Sequence, residues 1–591
     1  ARAAVRMSWP IIASTCTTLA AFVPLALWPG TSGEFMKYLP LTLIAVLSSS
    51  LLMALVFVPT LGAIFGRTGA NTDEARRNLA AAETGNLDDV TGLTGTYIQF
   101  LKRTLKHPWR NVAGVSGLLL AVYGAFFMFG EGIEYFPEVE MPFGMVDIRA
   151  RGDLSTAERD QLVREVEERV LGMPEIEFLY AKTGASDQGA EDQIGSLTLN
   201  YIEWDQRRTA DEILAEIRTR TSDLAGILIE TRKPDPGPPM GKPIQIEFSS
   251  RDDAARDVAV DRVRAHLEKH GGIVNIEDSR PLPGIEWQIK VDRAEAARFG
   301  ADISLVGAMV QLVTNGIKIG EYRPDDSDDE IDIRVRYPEG SRSLNQIDEL
   351  RIPSEQGPVP ISTFIDRVPA QKVGTIKRTD MRRTVTVDAD VAAGVLVDDV
   401  VRVLKAELPG LGIDPNVSWS FRGSTEDQQE DMEFLSRAMM MALAIMAIIL
   451  VTQFNSIYQA GLILTAVLFS TGGVLLGHLV MMKPFGVIMS SVGVITLAGI
   501  VVNNNIVFID TYNVLRSRGE QPFEAVLRTC AIRLRPVLLT TVTTIVGLMP
   551  MVLGVNINLI EREVAIGAPS SQWWTQLASS VAGGLAFATV L

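Results

Sequence analysis

The chain has 591 residues, too many for one ordinary domain, with 71 acidic against 55 basic side chains and a net charge of −16. That balance excludes a nucleic-acid partner, which would need basic stripes. Hydrophobic residues reach 47% against 21% charged, high for a soluble chain, and they gather towards the two ends. Cys16 and Cys530 lie in or beside apolar segments, so they form neither a disulfide framework nor a metal site.

The opening ARAAVRMSWP runs straight into an apolar stretch with no small-residue cleavage site, so it is not a signal peptide. The closing LAFATVL stops inside another apolar run. Both ends read as cut, and a fragment of a longer protein is expected. Ser8–Trp28 and Tyr38–Ile64 are each long enough to span a bilayer, which takes about 20 residues. The link that follows is rich in arginine and lysine, and TYIQFLKRTLKHPW within it reads as an amphipathic helix in the headgroup plane. Val112–Phe129 is the next span. Arg437–Phe454, Ile457–Val480, Val487–Leu515, Pro536–Val555 and Trp573–Leu591 follow near the C-terminal end.

Between these groups lies a polar block with a repeating strand–helix–strand cadence. FGMVDIRA, STAERDQLVREVEERVLG and IEFLYAKTG open it; GSLTLNYIEW, TADEILAEIRTRTSDL and GILIETRK follow. A third unit runs from KPIQIEFSS to IVNIEDS, a fourth from IEWQIKVD to GIKIGEY, and a last strand–helix–strand set ends at VSWSFRG. Alternation marks the strands and i, i+3, i+4 apolar spacing marks the helices. Units of this kind fit ferredoxin-like split βαβ modules. Phe178 and Tyr180 fall on alternate positions of one strand and read as core.

Lysine and arginine in the connections set orientation. Arg67, Arg76, Arg77, Lys102, Arg103, Lys106 and Arg110 crowd one link; Arg516, Arg518, Arg528, Arg533 and Arg535 crowd another. Both belong on the cytoplasmic side, which puts the polar block opposite. The chain also repeats itself. WPIIASTCTTLAAFVPL (Trp9–Leu25) matches RPVLLTTVTTIVGLMPM (Arg535–Met551), with Pro10 and Pro24 opposite Pro536 and Pro550. The repeat runs in the same sense, as in a parallel duplication about an axis along the membrane normal.

Three asparagines, Asn503, Asn504 and Asn505, interrupt LAGIVVNNNIVFID. On a helix Thr496, Asn503 and Asp510 share a face, while Asn504 and Asn505 turn about 100° and 200° further round. Polar groups at bilayer depth face partners inside a bundle. They either tie neighbouring helices together or form a thread for protons or ions. Asp510 stands near the cytoplasmic end, where it also reaches water. Pro536–Val555 supplies threonines, with Thr540 and Thr544 on one face. A carboxylate at mid-depth is missing and is expected on a helix outside this chain.

These features resemble the resistance–nodulation–division (RND) efflux transporters, and more narrowly their hydrophobe/amphiphile, acriflavin-resistance-type branch. GIVVNNNIVFID, VTQFNSIYQAGLILTAVLFSTGGVLLG, AIRLRPVLLTTVTTIVGLMPMVLG and YFPEVEMPFGMVDIRARGDLS carry the resemblance over essentially the whole chain. It implies an α-helical membrane bundle with an α+β periplasmic porter domain of ferredoxin-like βαβ units. Residues 1–66 would be membrane helices five and six, 67–110 a cytoplasmic link with an interfacial helix, and 111–130 helix seven. Residues 131–435 would be a periplasmic porter half with a docking insertion near Gly320–Arg342, and 436–591 helices eight to twelve.

The resemblance further implies a homotrimer in the inner membrane, partnered by a periplasmic adaptor and an outer-membrane channel. The proton gradient drives it, with no cofactor and no chemistry on the small amphiphilic substrates. The family's relay positions fall on Asn503, Asn504, Thr540 and Arg533, with Asp510 nearby. The family's lysine is Asn503 here, and an amide exchanges hydrogen bonds but cannot form an ion pair. Phe143, near the porter opening, is a candidate substrate contact. Heavy-metal or lipid export within the superfamily is one alternative, and a non-transporting membrane sensor or scaffold another. For metal export, Met141 and Met145 are expected on opposite faces of one strand.

Overall fold

The computed structural model describes residues 2–65, 81, 85, 87–150, 154–184, 192–234, 237–238, 241–280, 284–325, 329–353, 357–372, 375–392, 394–560 and 562–591. Arg67, Arg76 and Arg77 of the first basic link lie outside them.

Two sheets organise the polar block. The first follows the order β1 (Phe143–Ala150), α-helix Thr156–Val170, β2 (Ile176–Thr183), β3 (Gln193–Tyr201), α-helix Ala210–Thr221 and β4 (Ile227–Arg232). Its strands stand side by side as β2-β3-β1-β4, all neighbours antiparallel. Both helices open with a reciprocal capping box, Ser155 with Glu158 and Thr209 with Glu212. Each cap contributes about 1 kcal/mol. Their apolar stripes, including Val163, Val166, Ile213 and Ile217, cover one face of the sheet.

The second sheet repeats the plan with β5 (Ile244–Ser249), α-helix Asp253–Leu267, β6 (Ile273–Asp278), β7 (Arg382–Val391), α-helix Val397–Glu407 and β8 (Ser418–Arg422). Its order is β6-β7-β5-β8, the same as in the first. Between β6 and β7 stands a separate body with its own core around Val306, Ile347, Ile352 and Phe364. There Ile285–Val291 pairs with Ile365–Gln371, and Ile317–Tyr322 with Ile331–Val335. The predicted fourth strand–helix–strand unit is therefore part of this inserted body, because its strands find partners further along the chain than its own helix.

Among the described residues, seven helices are long and apolar enough to cross a membrane by length and composition: Ser8–Leu27, Gly30–Phe65, Pro108–Phe129, Ser424–Phe454, Ile457–Met481, Val487–Ser517 and Pro522–Val552. The main helices of this region are α1 (Arg2–Phe22), α2 (Tyr38–Leu52), α3 (Pro108–Phe129), α4 (Ser424–Phe454), α5 (Ile457–Met481), α6 (Val487–Ser517), α7 (Pro522–Val552) and α8 (Pro569–Val590). α8 is not one of the seven; serines and Gln572 and Gln576 dilute its hydropathy, yet it packs into the same group. α4 starts well before Arg437, since the acidic stretch before it is also helical. α7 likewise starts at Pro522 and continues through Pro536. Leu527 and Ala531, in that extra length, pack on Ile98 of the helix Gly92–Thr104. That helix ends at Thr104, short of the amphipathic stretch predicted to run to Trp109.

α5 and α8 meet through small residues. A Cβ at Gly473 would come within 2.6 Å of the Gly583 carbonyl oxygen and 2.8 Å of the Gly584 Cα. Gly473→Val is therefore expected to lower thermal stability of the detergent-solubilised full-length protein by about 1–3 kcal/mol or prevent folding. Gly461→Ala, where nothing lies within 4 Å, should leave it unchanged.

Candidate functional site

α6 is, with α1, among the most enclosed of the apolar helices described. Val492, Ile495, Leu497, Ala498, Val501, Val502 and Ile506 are all buried against its neighbours. Gly499 makes one of these approaches possible, since a Cβ there would meet Thr18 Cα at 3.2 Å. The Thr18 hydroxyl uses the space, donating to the Gly499 carbonyl and to the Ser14 carbonyl, each at 3.1 Å. One turn further along, the Ser14 hydroxyl donates to the Asn503 side-chain carbonyl. An exposed amide on α6 is thereby paired with a buried hydroxyl on α1.

Thr540 is placed differently. It is exposed, and its hydroxyl donates to Val537 O of its own helix at 2.9 Å. No hydrogen bond joins it to Asn503 among the described residues. Its neighbour Thr541 is the buried one, 3.1 Å from the Thr589 hydroxyl of α8. Asn504 and Asn505 are half-buried. Ser14 was not singled out from the sequence, although a signal was there. In the internal repeat Ser14 aligns with Thr540, so the two hydroxyls hold equivalent positions in the two copies.

At the far end of α6, Arg533 Nε donates to Thr511 Oγ1 at 2.6 Å, and Asp510 attracts the same guanidinium. Gln459 and Asn513 exchange two hydrogen bonds, 2.9 and 3.0 Å, joining α5 to α6 at that level. The structure thus brings Asp510 and Arg533 together, and brings Asn503 to Ser14. A cavity of about 910 Å³ opens beside α6, between α2, α7 and α8, with Thr496 and Thr544 among its lining residues.

The open face of the first sheet forms a second region. Phe178 and Tyr180 stand on it, 57% and 63% exposed, not in the core. A bulge between Ile176 and Phe178 shifts the register. Ile176 still packs inward, but beyond the bulge Leu179 and Ala181 take the inward positions. Cross-strand neighbours complete two rows: Phe178, Asn200 and Phe143 in one, Tyr180, Thr198 and Met145 in the next. Phe143 is half-buried at the start of β1. Met141 precedes that strand, and positions four apart on a strand would share a face. The expected opposition of Met141 and Met145 therefore fails.

Buried charges join the two sheets. Arg149 of β1 pairs with Glu277 of β6 and lies 3.4 Å from Glu230 of β4. Lys242 contacts Glu230 at 3.3 Å and Glu277 at 3.2 Å. Asp388 of β7 sits in the same group; burial, then repulsion by Glu277, push its carboxyl up to about 6.

The sheets meet the helices at a compact joint. Ile133–Glu134 pairs in parallel with Phe485–Gly486, just before α6. Asp431 of α4 accepts from Trp28 Nε1 at 2.8 Å and from Tyr135 Oη at 2.6 Å, and Tyr135 also meets Ser32. Gln576 of α8 donates to Glu134. Burial pushes the Glu134 carboxyl up to about 7; the Gln576 hydrogen bond works against this and Glu138 adds to it.

The model of the AcrB/AcrD/AcrF family matches residues 1–591. The chain belongs to that family. It is therefore a member of the RND superfamily with an AcrB-like fold, several apolar helices and an α+β porter-like region. Among its relatives is the nickel and cobalt resistance protein CnrA of Cupriavidus metallidurans, 24% identical over 98% of this chain and 53% of the relative. Another is the multidrug resistance protein MdtC of Yersinia pestis, 22% identical over 93% of this chain and 53% of the relative. A crystal structure described as a heavy metal efflux pump superposes with a TM-score of 0.73 at 21% identity, over 100% of this chain and 57% of that one. The chain spans about half the length of the curated relatives it matches.

Glu134 offers a pH test of the joint. Its carboxyl is raised from 4.5 to about 7, so the folded state holds its proton where the unfolded state has lost it. The neutral form's stabilising contribution is complete below about pH 4.5 and is lost as pH rises through about 7. Glu134→Gln should match the parent protein at low pH and exceed it by on the order of 3 kcal/mol above pH 8. Thermal unfolding of the full-length protein across that range measures the difference.

Proposed function

We propose that this chain is the C-terminal part of a proton-driven RND exporter of amphiphilic compounds. In this reading the apolar helices form an inner-membrane bundle. The two sheets are ferredoxin-like porter units on the periplasmic side, and the inserted body Ile285–Gln371 is the docking element. The working pump is a homotrimer with a periplasmic adaptor and an outer-membrane channel.

The observation that carries the substrate class is the open sheet face. Phe178 and Tyr180 present uncovered rings beside Phe143, Asn200 and Thr198. Aromatic surface with a few polar groups suits molecules that are part apolar and part polar.

For the drive, Asn503 with Ser14 is one half of a paired arrangement. The duplication that equates Ser14 with Thr540 makes the surface around Thr540 the counterpart of the one where α1 meets α6. A helix equivalent to α6, from the part of the longer relatives that this chain does not span, would sit there. It would carry the carboxylate that gains and loses the proton. Asn503 and Asn504 would then answer its charge change by exchanging hydrogen bonds, with Asp510 and Arg533 at the cytoplasmic outlet.

A second reading, heavy-metal export, is favoured by the names of CnrA and of the superposed pump, and by the Met145 thioether on the same open face. Expression of the full-length protein in a pump-deficient host separates the two. Phe178→Ala with Tyr180→Ala should lower resistance to detergents and dyes by several-fold and leave nickel and cobalt tolerance unchanged. The opposite pattern, with loss in Met145→Leu instead, would install the metal reading. For the drive, Thr540→Val and Asn503→Leu should each abolish substrate-dependent acidification in proteoliposomes; unchanged flux in both would remove the assigned relay.

A further inference from the structure

Between α7 and α8 the chain forms a two-stranded ribbon, β9 (Val555–Asn558) and β10 (Glu563–Ile566). Its register pairs Val555 with Ile566 and Ile557 with Val564, and between them Asn556 with Ala565 and Asn558 with Glu563. Side chains alternate along each strand. One face is therefore wholly aliphatic, and the other carries Asn556, Asn558 and Ala565. The turn continues the apolar character, with Leu559 84% and Ile560 94% exposed. Ile557, Val564 and Ile566 are exposed as well. A lone two-stranded hairpin is marginal in water, and this one turns Ile557, Val564 and Ile566 away from the rest of the chain, while Val555 is half-buried beside α7 and α8.

Its height is fixed by its ends. Gly567 N donates to Gly554 O at 2.8 Å, Ser571 Oγ to the same carbonyl at 3.1 Å, and Asn556 Nδ2 to Ser570 Oγ at 3.4 Å. The ribbon is thereby held where α7, long and apolar enough to span, ends and α8 begins. Trp573 and Trp574 stand in the first turns of α8, the residue type that gathers at the lipid–water boundary. Trp573 stacks on Phe136 at 5.8 Å, which places this level at the joint with the sheets. Arg562, exposed, lies at the turn beside the aliphatic pair.

We propose that this ribbon is a lipid-surface anchor. Ile557, Val564 and Ile566, with the Leu559–Ile560 tip, lie in the boundary between headgroups and acyl chains, on the side of the membrane that carries the sheets. Arg562 reaches the phosphates. The ribbon then holds the ends of α7 and α8 at a constant depth. The assignment rests on the helices spanning the bilayer, so the test includes a position that reports on that separately.

The experiment uses the full-length protein with its native cysteines replaced. Single cysteines at Ile557, Leu559, Asn558 and Val542 carry an environment-sensitive nitrobenzoxadiazole label. The protein is reconstituted in phosphatidylethanolamine–phosphatidylglycerol vesicles. Val542 is exposed midway along α7, so its quenching by nitroxides deep in the acyl chains establishes the span. Labels at Ile557 and Leu559 should show blue-shifted emission, quenching by shallow nitroxide lipids and loss of iodide quenching, while Asn558 stays open to iodide. Iodide access at Ile557 and Leu559 equal to that at Asn558 would overturn the proposal. Shielding from iodide without nitroxide quenching would overturn it too, by showing that protein covers the ribbon. If only the Val542 label fails to meet lipid, the spanning reading is what falls.

Discussion

A helix in apolar surroundings has to bring its polar side chains to partners, because neither lipid nor aliphatic side chains can satisfy them. The arrangement of α6 follows from that constraint. Its aliphatic positions are buried against neighbouring helices. Gly499 lets α1 lie close enough for Thr18 and Ser14 to reach across. At the other end Thr511 and Asp510 receive Arg533 from α7. The polar groups thus fix where α1, α5 and α7 meet α6, and the small residues between α5 and α8 complete the packing behind it.

The same constraint explains the joint with the sheets. A carboxylate near the start of the apolar region needs more than one donor, and Asp431 has Trp28 from one segment and Tyr135 from another. Glu134 is held by the backbone pairing of its own strand with Phe485–Gly486 and by Gln576 from α8. Four sequence-distant pieces of the helical region, at Ser32, Asp431, Phe485–Gly486 and Gln576, therefore grip the segment that leads into β1. Further out, Arg149 and Lys242 between Glu230 and Glu277 bind one sheet to the other. A change of charge at either joint would alter contacts that run from the helices to the open sheet face.

Much of this was legible in the sequence. Hydropathy located the apolar helices, since length and composition suffice for that, and alternation located the strands of both sheets. The match between Trp9–Leu25 and Arg535–Met551 was visible as a repeat of prolines and threonines. Legibility ended where local pattern met long-range pairing. Pro536 looked like a helix start, but Leu527 and Ala531 find tertiary partners and carry the helix back to Pro522. The strand Ile285–Val291 looked like part of another repeat until its partner proved to be Ile365–Gln371. Phe178 and Tyr180 looked like core because alternation cannot reveal a bulge.

The apolar helices, the strand–helix rhythm, the internal duplication and the three amides of α6 are all written in the order of the residues. These depend on composition and period, which are local properties. Packing in three dimensions sets Asn503 against Ser14, turns Thr540 outward and stands two aromatic rings on an open sheet. Such outcomes depend on the rotation of one helix against another and on a single extra residue in a strand. Neither leaves a mark in the spacing of hydrophobic residues, because the same period fits every rotation and either face.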